Sequence, residues 1–374
     1  MKPFIIIGSG LAAYTLAREF RKLDKIQPIT LITADDGSSY SKPMLSNALS
    51  KGKQAQDLVI ADAPTMASQL EINIITNTRV TQIDPDHQQV TTTNASLPYN
   101  KLILATGANP IAPPIGGNAA GETLQINNLQ DYGRFRERLE NARSITIIGA
   151  GLIGCEFAND LVAQGYQVHV IGMGSTPLDT LIPPAAGEAM QAALANIGIH
   201  WHLGTTVDAI DHASKGYRVS LTNSKSFATD LVISAIGLRP ETILAKAAGL
   251  DIQRGIVTNR YLQTSVEDIY ALGDCAELEG QVLPFVMPLM TGARALARTL
   301  AGNPEPVVYP AMPVIVKTPG FPLVIVPAST GEWRCEPTAA GLRCLKFDAA
   351  QMVGFCLGGD AVSEKQSLVK QLQR

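Results

Sequence analysis

Two glycine clusters have the spacing needed to hold a phosphate. The first, Gly8-Ser9-Gly10-Leu11-Ala12-Ala13, follows the apolar run Phe4 to Ile7, and the second, Gly149-Ala150-Gly151-Leu152-Ile153-Gly154, follows Ser144 to Ile148. In each, the first glycine permits a tight turn and the second lets a pyrophosphate approach the backbone. A small third residue, Ala13 or Gly154, keeps the following helix close to the strand. The positive, amide-bearing end of that helix then faces the phosphates. One such turn is weak evidence, because many tight turns are glycine-rich. Two in one chain, each between an apolar strand and a helical pattern, point to two dinucleotide sites.

The residues after the second strand of each unit bear on which nucleotide sits where. The first unit runs through the strand Pro28 to Ile32 into Thr33-Ala34-Asp35-Asp36, where Asp35 or Asp36 can accept hydrogen bonds from an adenosine ribose; Asp35 is taken as the site residue, beside Thr33 and Ala34. The second unit runs from Gln167 to Ile171 into Gly172-Met173-Gly174, which offers no acid. It also has no lysine or arginine from Ser144 to Ser214, so a 2′-phosphate would lack a local cationic partner. NADH is therefore expected rather than NADPH.

These turns require a particular scaffold. Each is embedded in a strand, turn, helix and strand, with helices reaching to about Leu23 and about Gln164, which is the opening of a doubly wound parallel sheet. The Pro/Gly-rich stretch Ala108 to Gly117 follows the buried strand Lys101 to Ala105 and marks a boundary. A similar strand, Asp230 to Ala235, ends in Gly237-Leu238-Arg239-Pro240 and reads as the return crossing. From about Pro304 the texture changes to Pro-broken β segments: Pro313 to Lys317, Pro322 to Val326, Gly341 to Asp348 and Met352 to Leu357. The expected fold is α/β, with two Rossmann-like dinucleotide-binding domains, one inserted in the other, and a small α+β C-terminal domain. The expected boundaries are 1–108 and 232–303 for the outer nucleotide domain, 109–231 for the inserted one, and 304–374 for the last.

Bulk properties narrow the class. A chain of 374 residues, 46% hydrophobic and 17% charged, suits a compact multidomain enzyme. Thirty basic side chains against 33 acidic ones give no nucleic-acid or membrane-seeking surplus. Gly8-Ser9-Gly10 and Arg18-Glu19 interrupt the apolar N-terminus too early for a signal peptide, and no stretch reaches the roughly 20 apolar residues of a membrane span. Cys155, Cys275, Cys335, Cys344 and Cys356 form an odd set without C-x-x-C spacing, expected to be small buried or surface thiols in a reducing cytoplasm. Cys335 and Cys344 are a pair that the fold can bring close. Alternation on a strand accounts for His200-x-His202, and no metal is expected.

Beyond the glycine turns, Ala105-Thr106-Gly107, Ala235 to Pro240 and Ile269-Tyr270-Ala271-Leu272-Gly273-Asp274 resemble the pyridine-nucleotide:disulfide oxidoreductase class of flavoproteins over roughly residues 1 to 300. The resemblance implies FAD at the first turn, NADH at the second, and Asp274, with Gly273, on the flavin's ribityl chain. Members that reduce disulfides keep two nearby cysteines against the flavin, and residues 38–50 contain none. Tyr40 to Ser46, Gly149 to Asn159, Val286 to Met290 and Pro313 to Pro319 resemble the NADH-dependent branch that reduces rubredoxin, over essentially the whole length. A rubredoxin acceptor, docked transiently through a local basic surface, and electron delivery to an alkane hydroxylase are what that likeness implies.

It also suggests further site residues. Lys42 and Glu156 are expected to pair beside flavin N5, because either charge buried alone would be costly. Lys317 resembles a family lysine facing N1 and the C2 carbonyl, where a cation favours the anionic reduced ring. Val286 opens a helix facing the same ring edge, and Val80 corresponds to a position whose backbone meets the adenine. Hydride transfer itself needs no side-chain nucleophile, because the cofactors supply the chemistry. Three alternatives stand beside this reading: an NADH oxidase or peroxidase, which the missing cysteine disfavours; a ferredoxin or flavorubredoxin reductase, which differs only in partner; and a flavin-containing signalling protein without turnover.

Overall fold

The computed structural model describes residues 1–372. Its contacts group into two units: Met1–Lys42, Asp57–Asn109 and Leu238–Tyr309 form the first, and Pro43–Gln56, Pro110–Gly237 and Pro310–Arg374 the second.

The first unit is built on a five-stranded parallel sheet in the order Ile269–Ala271, Lys101–Leu104, Phe4–Ile7, Ile29–Ile32, Asn73–Ile75. The central strand Phe4–Ile7 is buried at every position, as a strand covered on both faces must be, which explains its unbroken apolar run. Its side chains alternate between two cores. Phe4 and Ile6 pack with Leu16, Phe20 and Leu296 from the helices Leu11–Arg21 and Val286–Leu300. Ile5 and Ile7 pack with Leu102, Leu104 and Val90. Val90 comes from an antiparallel sheet of Val80–Asp84, Gln89–Thr92 and Ser96–Pro98.

The second unit repeats the plan. A four-stranded parallel sheet runs Ile199–Leu203, Gln167–Gly172, Ser144–Ile148, Leu231–Ser234. The helix Leu152–Val162 links its two middle strands, and a three-stranded antiparallel sheet, Val207–His212, Tyr217–Leu221 and Ser226–Thr229, closes one core with Ile148 and Ile171. Two helices without a glycine signature, Leu129–Leu139 and Pro184–Asn196, are marked by their starts: Asn128 accepts the amide of Asp131, and Pro184 occupies the first helical position. The C-terminal part is a five-stranded antiparallel sheet, Val314–Val316, Leu323–Val326, Gln351–Gly359, Gly341–Asp348, Glu332–Pro337, followed by the helix Lys365–Leu372.

The thiol expectation needs correction here. Cys335 and Cys344 face each other across the Glu332–Pro337 and Gly341–Asp348 strands, 4.0 Å apart at Cα, and form a disulfide. The hairpin register places both on one face of neighbouring strands, which spacing along the chain does not disclose. Cys356 lies opposite Cys344 on the next strand and stays a free thiol, its pKa pushed up to about 12 by burial. Cys155 and Cys275 are also buried and free. Alkylation of the unfolded, unreduced chain should therefore label three cysteines, rising to five after reduction; five before reduction would show that the bond does not form.

Candidate functional site

In the first unit, the candidate residues gather where the parallel strands end. The amide of Gly8 donates to Ile32 O at 2.8 Å, and that of Ala105 to Ile7 O at 2.9 Å, so the glycine turn lies between two strand ends. A Cβ on Gly8, whose φ is +116°, would stand 2.3 Å from Ala105 O. Only glycine fits there. A Cβ on Gly10, by contrast, meets nothing within 4 Å. Gly10 is also the N-cap of the helix Leu11–Arg21, which has no side-chain cap and no acid in its first turn. Its first amides are thus left for an outside acceptor, and the turn fits a pyrophosphate.

Asp35 braces this turn. Its Oδ1 accepts the Ser9 hydroxyl at 2.7 Å, the Thr33 hydroxyl at 2.5 Å and the Gly37 amide at 3.0 Å. Asp36 instead accepts the Ser38 amide, at 2.9 Å. The structure therefore aims Asp35, and not Asp36, at the glycine turn, with Ala34 exposed between Thr33 and Asp35. Gly273 reaches the same place: a Cβ on it would contact Ala12 at 3.0 Å and Leu289 at 3.7 Å. Burial raises the pKa of the neighbouring Asp274 carboxyl, and the charge of Lys42 opposes that shift. Gly107 has a φ of +72° and ends the segment after the Lys101–Leu104 strand, with its carbonyl accepting the Glu241 amide at 3.0 Å. Val286 is the first residue of the helix Val286–Leu300, and Val80 is buried at the start of its strand.

The second unit builds the same cradle. The Gly149 amide donates to Ile171 O at 2.8 Å, and a Cβ on Gly149 would stand 2.5 Å from Ala235 O. Gly151 caps the helix Leu152–Val162 without a side-chain bond or an acid in the first turn, and its Cβ direction is open. Gly154 packs so tightly that a Cβ would fall 1.9 Å from Gly149 O.

Glu156, two residues further along that helix, is fully buried and held within this unit. Its Oε2 accepts the Ser46 hydroxyl at 2.5 Å and the Lys317 ammonium at 2.7 Å, while Oε1 accepts the Lys317 backbone amide at 2.9 Å. Lys317 also donates to Ser46 Oγ at 3.0 Å and to the carbonyl of Pro43. The cation expected at the flavin edge is thus the one that neutralises Glu156. Two neighbours support the arrangement: Asp160 accepts the amides of Leu49 and Ser50, and Asn159 accepts that of Gly320. Burial raises the Asp160 pKa despite those bonds. Sequence reasoning assigned no role to Ser46, Asn159 or Asp160, because each acts through segments more than a hundred residues away. Among the described residues, no group of three or more His, Cys, Asp or Glu is disposed to hold a metal ion.

Two uncapped helix starts at the carboxyl ends of two parallel sheets define a two-nucleotide protein, and the comparisons agree. Residues 2–297 match the pyridine nucleotide-disulphide oxidoreductase family, to which the chain belongs. Membership implies use of a flavin and a nicotinamide nucleotide. Residues 306–372 match a second family, described as a rubredoxin binding C-terminal domain. The chain is 46% identical to a rubredoxin-NAD(+) reductase of Alcanivorax borkumensis, covering 100% of this chain and 99% of that one. It is 41% identical to a nitric oxide reductase FlRd-NAD(+) reductase of Aeromonas hydrophila, covering 100% and 97%. A solved putidaredoxin reductase, in covalent complex with putidaredoxin, is similar with a TM-score of 0.90 at 26% identity, covering 100% of this chain and 93% of that one.

The geometry separates stability from binding. Gly154→Ala should cost about 2 kcal/mol or more in denaturant unfolding through overpacking, whereas Gly10→Ala should stay within about 0.5 kcal/mol of the parent and release bound nucleotide cofactor on gel filtration. Replacing Lys317 by Met leaves the Glu156 carboxylate buried without its cation, and should lower unfolding stability by about 3 kcal/mol. A change below about 1 kcal/mol in that measurement would mean that the carboxylate is neutralised by other means.

Proposed function

We propose that the chain is an NADH-dependent FAD enzyme that passes electrons singly to rubredoxin. On this reading segments 1–108 and 232–303 hold FAD, 109–231 hold NADH, and 304–374 receive the acceptor. The match of residues 306–372 to the rubredoxin binding domain is the observation that carries the choice of acceptor. The Alcanivorax relative, aligned over nearly its whole length, supports it.

When bound, the flavin supplies the exchange of one hydride for two single electrons. The chain positions and screens. Gly8, Ser9, Gly10, Leu11 and Ala12 would hold the FAD pyrophosphate on the first helix start, with Thr33, Ala34 and Asp35 at its ribose. Because Asp35 Oδ1 already serves the turn, ribose hydroxyls would donate to its other oxygen. Gly107, Gly273, Asp274, Lys42, Val80 and Val286 would complete that pocket, and Gly149, Gly151 and Gly154 would hold the NADH pyrophosphate. Glu156 and Lys317, mutually neutralised within the second unit, complete the set of residues proposed to serve the cofactors. No thiol relay is required of Cys155 or Cys275, whose pKa values burial raises.

A second reading, reduction of flavorubredoxin, is favoured by the Aeromonas relative. The cytoplasm, where NADH is produced, is the proposed location; among the described residues no helix is long and apolar enough to cross a membrane. Alkane hydroxylation is the proposed destination of the electrons. Steady-state NADH oxidation by the purified protein, with rubredoxin, flavorubredoxin, a ferredoxin and oxygen in parallel, tests the assignment. Rubredoxin should lead in kcat/KM by about tenfold or more, equivalent to 1.4 kcal/mol of transition-state preference. A flavorubredoxin lead of that size would transfer the assignment to the second reading, and no turnover with any carrier would overturn both.

A further inference from the structure

The nicotinamide-nucleotide unit lacks an acid where a ribose is normally recognised, directly after the second strand of the βαβ unit. Gly172, Met173 and Gly174 occupy that stretch, with Met173 exposed. The following loop turns back on itself and supplies what is missing. Leu178, buried and in the left-handed region with φ of +57°, donates its amide to the carbonyl of Ala150, the middle residue of the glycine turn, at 2.9 Å. Leu181 and Ile182 donate their amides to Leu178 O at 2.7 and 3.0 Å, which locks the turn. Backbone bonds from Thr205 to Gly172 O and from Gly204 to Gly174 O fix the strand end.

Asp179 is thereby laid over Gly174. A Cβ on Gly174 would stand 2.0 Å from Asp179 Oδ2 and 2.3 Å from its Cγ. Glycine at 174 is thus what lets the carboxylate lie at the end of the Gln167–Gly172 strand. Pro177 and Leu178 are buried, but Asp179 is exposed, and among the described residues its carboxylate has no hydrogen bond or ion pair. The backbone bearing this carboxylate is fixed through a left-handed Leu178, and the carboxylate, with no partner in the chain, is open to a donor from outside it.

We propose that Asp179 is the ribose-recognising acid of this unit: its carboxylate accepts hydrogen bonds from the 2′- and 3′-hydroxyls of the adenosine ribose of NADH and repels the 2′-phosphate of NADPH. No lysine or arginine occurs in the chain from Ser144 to Ser214, so within that stretch nothing offsets the repulsion. The inference rests on the reading of this unit as the NADH site and adds to it the residue that sets nucleotide choice.

Equilibrium titration of the flavin-loaded protein with NAD+ and with NADP+, followed by calorimetry, tests it without turnover. Asp179→Asn should weaken NAD+ about tenfold, as expected for loss of charged hydrogen bonds to the ribose, and bring the two dissociation constants closer together. Asp179→Arg should move the ratio further toward NADP+. Gly174→Ala, which pushes the carboxylate aside without removing it, should weaken NAD+ in the same direction. A ratio of the two constants that stays within twofold of the parent in both Asp179 variants would overturn the proposal. If the parent protein binds neither nucleotide, the NADH reading itself fails, and the two failures are thereby distinguished.

Discussion

In both parallel sheets a glycine is pressed against the carbonyl of a neighbouring strand, Gly8 against Ala105 and Gly149 against Ala235, leaving no room for a side chain. That contact lets the chain reverse within a few residues and start a helix directly beyond an interior strand, so the helix begins with bare amides at the carboxyl ends of the strands. The backbone bonds from Gly8 to Ile32 and from Gly149 to Ile171 hold the turn against the second strand. Everything that surrounds the two cradles, including Asp35, Gly273 and the loop bearing Asp179, is positioned relative to that turn.

A second constraint belongs to the Glu156 side chain. Taking a carboxylate out of water costs several kcal/mol unless a cation and hydrogen bonds replace the lost solvent. Ser46 and Lys317 provide these from segments 110 and 161 residues away. Such a pair contributes little net stability compared with well-packed apolar residues, but it penalises any arrangement that separates its members. In this unit it ties the strand Val314–Val316, which precedes Lys317, to the helix Leu152–Val162.

Much of this was legible in the residues themselves. Unbroken runs such as Phe4 to Ile7 and Leu231 to Ser234 announce strands covered on both faces, and both glycine turns reveal a helix start because the required conformation is local. The β-rich character of the C-terminal part followed from its punctuation by proline and glycine. The helices Leu129–Leu139 and Pro184–Asn196 were less apparent, since their starts depend on a cap and a first-turn proline and not on a glycine motif.

By itself, then, the sequence determined the two nucleotide cradles, the parallel sheets beneath them and the absence of a cysteine pair in residues 38–50, because each depends on residues adjacent in the chain or repeated at a fixed period. The tertiary structure alone decided that Cys335 meets Cys344, that Lys317 neutralises Glu156, and that Asp179 returns to a strand end which offers no acid of its own. Those are questions of register and loop closure. They are settled by which distant backbone groups bond to one another, and the local pattern of residue types carries no record of that choice.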